Sequence, residues 1–384
     1  MKNKAVIIDM YSHGSYHEVI NQAYLMMISN LYKEVTYIAD KSACENLKSL
    51  LTKCNINYSN VRFLEKHISH FDFHNQGLNY LAKLAKVSFL NFIYYNKCKN
   101  NTDVFFNNNL FFAILLITVF SKKKNDIYDL CHNEMELIDK HSRYSLASSL
   151  LSLFFRFVFC RIKLNRVFHF ILLSPNMVDY FNSFISPKNQ KRMFWIDHSY
   201  IRPEIKIKPG CMIADKRIKI GIPGAITPSR GLDALKQILS HLENDNICIY
   251  ALSTCSEIID NKHFVELNST NRLLPFEIYN SYVQSMDVML LLYDTNSYKL
   301  TASGAILEAI WNEKPIIALK NAYFEYLFNK FGDLGVLCND LTSLIQVINK
   351  FKANSYFKKN IAVAKKNLYP IAVQSQLLKI INYV

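Results

Sequence analysis

The sequence predicts an α/β fold of two Rossmann-like domains facing across a cleft. Three observations carry that prediction. Short apolar runs alternate with helix-spaced segments along most of the 384 residues, the pattern of parallel sheets with crossover helices. The alternation breaks once, over about 199–216, where Pro203, Pro209 and Gly210 replace any long apolar run, and then restarts. Half of the residues (50%) are hydrophobic and 20% are charged, which is enough to bury a core in each of two or three domains. The expected division is residues 1–199 as the N-terminal domain, 200–216 as a linker, 217–365 as the second domain and 366–384 as a helix crossing back.

Taken in order, residues 5–9 form an apolar run too short for a secretory signal core and of the right length for a first strand. A helix over 19–31 and a strand over 34–39 follow. The patterning assigns no element from 40 to 102. A strand at 103–106 leads through Asn107, Asn108 and Asn109 into an apolar helix at 110–120. Those eleven residues fall well short of the ~20 that a membrane span needs. After Lys122, Lys123 and Lys124 comes a strand at 126–131. Residues 146–160 are rich in Leu and Phe, interrupted by Arg156 and followed by Arg161, Lys163 and Arg166. This is a buried core helix, or a helix lying on an anionic bilayer surface. Strands at 167–173 and 194–196 complete the first half. The second half reads as strand 218–222, helix 231–242, strands 247–252 and 264–267, helix 276–286 and strand 288–293. Beyond 301–318 come helix 323–330, strand 335–338, helices 341–351 and 355–368, and a last helix at 374–383.

The formal net charge of +14 points to anionic partners. The basic residues are spread widely and form no nucleic-acid-binding module, so no nucleic acid partner is expected. Nine scattered cysteines without a C-x-x-C pair read as free thiols in a reducing cytosol, not as a disulfide frame or zinc site.

The stretch from Thr301 to Ala318 is the most informative. Ser303 and Gly304 make a small-residue turn at a helix start, where free backbone N–H groups bind phosphate. Glu308 lies a little over one turn inside that helix, within reach of a nucleotide ribose. Lys314-Pro315 ends the helix before a short apolar strand. No Asp-x-Asp motif stands at a strand end, so no metal is expected. Candidates for a base on the acceptor side follow strands of the first half: His13, His17 and Glu18 after the first, His132 and Glu134 after a later one. Each lone histidine is better accounted for as a satisfied structural one. His132, Glu134 and His17 are taken as the catalytic candidates.

These residues resemble the nucleotide-sugar-dependent glycosyltransferases of the GT-B fold, most closely the glycogen-synthase-like group. Gly224 through Arg230 to Asp233 resembles that group's glycine strand end followed by a basic residue. The resemblance implies that Arg230 binds the donor diphosphate. Arg272 to Pro275, Met286-Asp287-Val288 and Leu291-Leu292-Tyr293 resemble the helix, Asp-Val and apolar strand before the donor loop. Glu308 to Ala318 follows the family's EA…P-V-I-A signature, in which this Glu bonds the ribose. Asp103 to Phe106, the apolar helix and Ile127 to Asn133 resemble a strand–helix–strand ending in a His that faces donor sugar and acceptor. Phe170 to Ser174 resembles a later strand ending in Ser. The implied donor site is therefore Gly224, Arg230, Tyr293, Lys299, Ser303, Gly304 and Glu308. Arg230, Lys299 and the Ser303-Gly304 turn would stabilise the leaving diphosphate without a metal. Two departures stand out. Retaining members carry an E-x7-E pair whose first Glu is Leu300 here, with Tyr298 and Lys299 beside it, and a further family Arg is Ala225.

The resemblance implies a hexosyl- or glycosyltransferase using a UDP- or GDP-linked sugar as substrate and no cofactor. Its acceptor would be a glycan or polyprenyl-linked glycan in bacterial surface polysaccharide biosynthesis (capsule, O-antigen or exopolysaccharide). The expected location is the cytoplasm, with peripheral contact to the anionic inner membrane face. Two alternatives stand beside it: a nucleotide-sugar 2-epimerase of the same fold, and a basic non-enzymatic protein binding membrane or nucleic acid.

Overall fold

The computed structural model describes residues 2–15, 17–68, 78–107, 111–139, 146–204, 212–268, 270, 274–293, 299–352 and 355–383. Asn108, Asn109, Pro209, Gly210, Arg272 and Tyr298, named above, lie outside them, as does Cys211, one of the nine cysteines. The chain divides into two compact units. One comprises Met1–Pro203, Leu300–Ala302 and Leu368–Val384, the other Glu204–Lys299 and Ser303–Asn367.

The first unit runs β1 (Lys2–Asp9), α1 (Glu18–Leu31), β2 (Tyr32–Asp40), α2 (Lys41–Lys53), β3 (Val61–Lys66), α3 (Leu78–Lys97), β4 (Asp103–Asn107), α4 (Phe111–Phe120) and β5 (Ile127–Leu130). It continues through a 3-10 turn (Asn133–Ile138), α5 (Leu146–Arg161), β6 (Phe168–Leu172), α6 (Pro175–Asn182), α7 (Pro187–Gln190) and β7 (Met193–Trp195). Its seven strands are parallel in the order β3-β2-β1-β4-β5-β6-β7. The central strands read as continuous apolar runs because helices cover both faces; every residue of β5 and β6 is buried.

Three elements in 40–102 have no counterpart in the sequence reading. Strand β3 is the sheet edge, and its alternating half-exposed side chains include Arg62, Glu65 and Lys66, so it lacks an apolar run. Helices α2 and α3 flank it. Helix α5 buries Leu151, Phe155, Val158 and Phe159 on one face and exposes Leu150, Leu153 and Phe157 on another. Among the described residues no helix is long and apolar enough to cross a membrane.

The second unit runs β8 (Ile218–Ile222), a 3-10 turn (Pro228–Arg230), α8 (Leu232–Ser240), β9 (Ile247–Ala251), β10 (Phe264–Glu266), α9 (Phe276–Ser285), β11 (Val288–Leu291) and α10 (Gly304–Trp311). It ends with β12 (Ile316–Leu319), α11 (Ala322–Phe331), β13 (Gly335–Cys338), α12 (Leu341–Lys350) and α13 (Lys358–Asn367). Its six parallel strands lie in the order β10-β9-β8-β11-β12-β13. Counted from its own first strand, each sheet runs 3-2-1-4-5-6, and the first sheet adds a seventh strand beyond the sixth. A core of Ile220, Leu235, Ile249, Leu290, Ile317 and Leu344 fills one face of the second sheet.

The last helix, α14 (Pro370–Tyr383), belongs to the first unit and packs on α1. Asn30 Nδ2 donates to Gln374 Oε1 at 3.0 Å, and the Asp197 N–H donates to Gln376 Oε1 at 2.8 Å. The eight described cysteines are free thiols.

Candidate functional site

Loops leaving the C-terminal ends of parallel strands are where such sheets bind ligands. In the first unit the loops after β1, β5 and β7 bring three histidines to one place. The β1 loop is held by Asp9, which accepts from the Ser12 N–H (3.0 Å), Asn21 Nδ2 (2.7 Å) and the Tyr37 hydroxyl (2.9 Å). His17 ends this loop in the left-handed conformation (φ 59°), and its carbonyl accepts from the Asn21 N–H at 3.0 Å. His132 follows β5. Its ring meets His17 edge-on at 4.7 Å between centroids, with Tyr24 at 6.1 Å. His198 follows β7, a residue the sequence reading did not select. The three histidines line a cavity of about 170 Å³ with Ile20, Leu173, Thr301 and Ala302. That is smaller than the ~300–1,000 Å³ typical of a whole small-molecule site. It suits one ring or one hydroxyl-bearing fragment.

All three imidazoles are neutral at pH 7. Burial, then the charge of His198, pushes His17 down to about 4. Burial also takes His198 to about 4, and takes His132 well below the usual histidine range, helped by His17 and His198. His198 Nδ1 lies 3.0 Å from the Ser199 carbonyl, so it carries the proton and leaves Nε2 as an acceptor. His132 Nε2 is buried and has no hydrogen-bond partner among the described residues. Such an atom is stabilised by any ligand that can bond it.

Glu134 is turned onto the backbone. Both of its carboxylate oxygens lie 3.0 Å from the His132 nitrogen and accept its N–H. Burial pushes its pKa up to about 7 against those bonds. Its carboxylate also lies within 4.8 Å of ligand atoms of Cys131 and Asp129. Burial holds the Cys131 thiol far above its usual range, and the protonated sulfur donates to the Asp129 carbonyl at 3.4 Å. Leu300, at the position of the missing acid, is buried, and its N–H donates to Glu136 Oε1 at 2.8 Å. Ser174 caps α6, accepting from the Met177 N–H at 3.3 Å. Glu18 lies 3.6 Å from Arg202. His13 is partly exposed, near the Tyr11 carbonyl.

In the second unit the loop after β8 turns at Gly224 (φ 76°) into the 3-10 turn that ends in Arg230. The Arg230 N–H donates to the Thr227 carbonyl at 2.8 Å, while its side chain is exposed and makes no ion pair among the described residues. Gly231 must be glycine. Its φ is +82°, and a Cβ there would sit 2.4 Å from Leu292 Cβ and 2.6 Å from the Leu292 carbonyl oxygen. Ser303 is the N-cap of α10 without a side-chain cap bond, and its hydroxyl is buried and unpartnered among the described residues. Gly304 opens the helix, with nothing within 4 Å of where a Cβ would stand. The first turn of α10 therefore presents uncapped N–H groups. Glu308 is partly exposed, and its Oε2 accepts the Tyr279 hydroxyl at 2.8 Å. Tyr279, on α9, escaped the sequence reading. Tyr293 packs its ring 6.0 Å from Phe324, and Lys299 is partly exposed.

No family model and no curated protein sequence matches the chain. Solved structures match it from end to end. HepE of Anabaena in complex with UDP is 13% identical with a TM-score of 0.61, covering 100% of both chains. WaaG, a glycosyltransferase involved in lipopolysaccharide biosynthesis, is 13% identical with a TM-score of 0.58 over 98% of this chain and 99% of its own. The fold is GT-B. The GT-B likeness extends to UDP-N-acetylglucosamine 2-epimerase of Rickettsia bellii, 11% identical with a TM-score of 0.56 over 100% of this chain and 96% of its own. At these identities the likeness is one of fold. Within GT-B, the loops described above are the strand-end loops of the two sheets.

Proposed function

We propose that this protein is a metal-independent glycosyltransferase. It moves one sugar from a UDP- or GDP-linked donor to a glycan or polyprenyl-linked acceptor in bacterial surface polysaccharide biosynthesis. The observation that carries the reading is Glu308: a carboxylate inside an uncapped helix start, oriented by the Tyr279 hydroxyl. A carboxylate so held suits a ribose diol, and free N–H groups suit a diphosphate. Arg230 and Lys299 supply positive charge to the leaving group, with Gly224 and Tyr293 completing the donor site. In the transfer, the bond from the anomeric carbon to the diphosphate oxygen breaks and the acceptor oxygen bonds that carbon. The acceptor proton goes to the unpartnered Nε2 of His132, with His17 beside it. Glu134 is a positioning residue acting through the His132 backbone. WaaG supports the surface-glycan assignment, and the exposed Leu150, Leu153 and Phe157 beside Arg156 and Arg161 support peripheral contact with the inner membrane face.

The test is donor binding. A cognate nucleotide-sugar should raise the melting temperature, and Glu308→Ala should weaken both that shift and transfer. No shift with any UDP- or GDP-sugar, together with unchanged transfer by Glu308→Ala, would refute the proposal. The 2-epimerase likeness favours a second reading. Solvent deuterium entering the sugar C2 without acceptor would select it.

A further inference from the structure

The N-terminal edge of the first sheet, away from the histidines, carries a second concentration of chemistry. Lys124 precedes β5, Arg166 precedes β6, and Lys188, Lys191 and Arg192 lie just before β7. These five cations line one pocket of about 500 Å³. Its single carboxylate, Asp126, is engaged by His169 Nε2 at 3.2 Å. None of the five cations makes an ion pair among the described residues. Arg192 is partly buried, its Nε is buried without an acceptor among the described residues, and burial lowers its pKa. An adjoining pocket of about 650 Å³ adds Lys379 of α14, with Phe194 and Tyr383 shared between the two.

Uncompensated like charges repel, and a guanidinium donor without an acceptor is costly to bury. One multivalent anion relieves both at once. Arginine forks match phosphoryl oxygens in a bidentate way, and lysines add point charge. Nothing in the donor reading uses these residues, which lie at the other end of the strands from the histidine loops. We propose that this pocket is a second anion site that takes a phosphoryl group. The group comes either from the headgroup of an anionic lipid or from a free phosphate compound.

The experiment uses the full chain saturated with UDP, titrated with inorganic pyrophosphate and sedimented with phosphatidylglycerol or phosphatidylcholine vesicles. Wild type is compared with Lys188→Gln/Lys191→Gln, with Arg192→Gln, and with a charge-matched control on α13, Lys359→Gln/Lys366→Gln. The expected result is at least tenfold weaker anion binding in the pocket variants and little change in the control. Weakened pyrophosphate binding assigns a free phosphate. Loss confined to phosphatidylglycerol vesicles assigns a lipid headgroup. Pocket variants that behave like wild type with both probes, or a control that loses as much, overturn the proposal.

Discussion

The two sheets share one strand order, yet their strand-end loops are furnished in opposite ways. The first gathers His17, His132 and His198, large rings that burial keeps neutral. The second gathers Gly224, Gly231, Ser303 and Gly304, leaves the start of α10 without a side-chain cap, and exposes Arg230 to solvent. Neutral imidazoles in a small buried cavity are suited to handling protons and hydroxyl groups. Small residues beside an exposed guanidinium are suited to holding phosphate. Under the proposed function, the same architecture would divide chemistry from cosubstrate binding by what its loops carry.

The sharpest way to break this division is His132→Ala. Transfer should fall about 10²–10⁴-fold while the thermal shift with UDP is unchanged. Equal loss of UDP binding would show that the halves do not divide the work. Gly231→Ala should destabilise the second unit by about 2–5 kcal/mol, from left-handed strain plus overlap with Leu292, read by urea unfolding. Arg230→Ala should weaken donor binding about 10–100-fold by calorimetry and leave stability unaffected.

The pH response should follow the first unit. Its imidazoles take up protons more readily unfolded, near 6.5, than folded, so their stabilisation is full above pH 6.5 and is lost as pH falls toward 4. Glu134 runs the other way: its contribution is full below 4.5 and is lost as pH rises through about 7. Asp9 and Glu18, which burial also pushes up, side with Glu134, so the three histidines oppose three carboxyls. Removing one imidazole isolates its share: between pH 6.5 and 4.5 His198→Gln should lose less melting temperature than wild type, by about a few degrees. The smallest effect, about threefold to tenfold on donor affinity, is expected for Tyr279→Phe, which frees Glu308 without removing it.

Much of this was legible in the sequence. Parallel strands buried on both faces spell themselves as apolar runs, so β5, β6, β9, β11 and β12 stood out. The edge strand β3 did not, because Arg62 and Glu65 face water along it. The 301–318 stretch announced its turn and acid through small residues and spacing. His198 and Tyr279 gave no such signal. A histidine three residues past a strand, or a tyrosine inside a helix, is ordinary until the fold sets it beside its partners. The pocket before β7 was likewise hidden, since its cations come from three separate loops and only their convergence makes a site.

The placement of α14 bears on how the protein is made. Strand β1 and α1 precede the second unit in the chain, but part of their packing comes from residues 368–384, which follow it. Lys2 Nζ reaches the Ile381 carbonyl at 3.4 Å, and Asn30 reaches Gln374. The first unit therefore cannot close until the whole second unit has been made. A chain truncated after residue 367 would keep every element of the second unit and leave the first with an open apolar seam along α1, the kind of surface that chaperones bind.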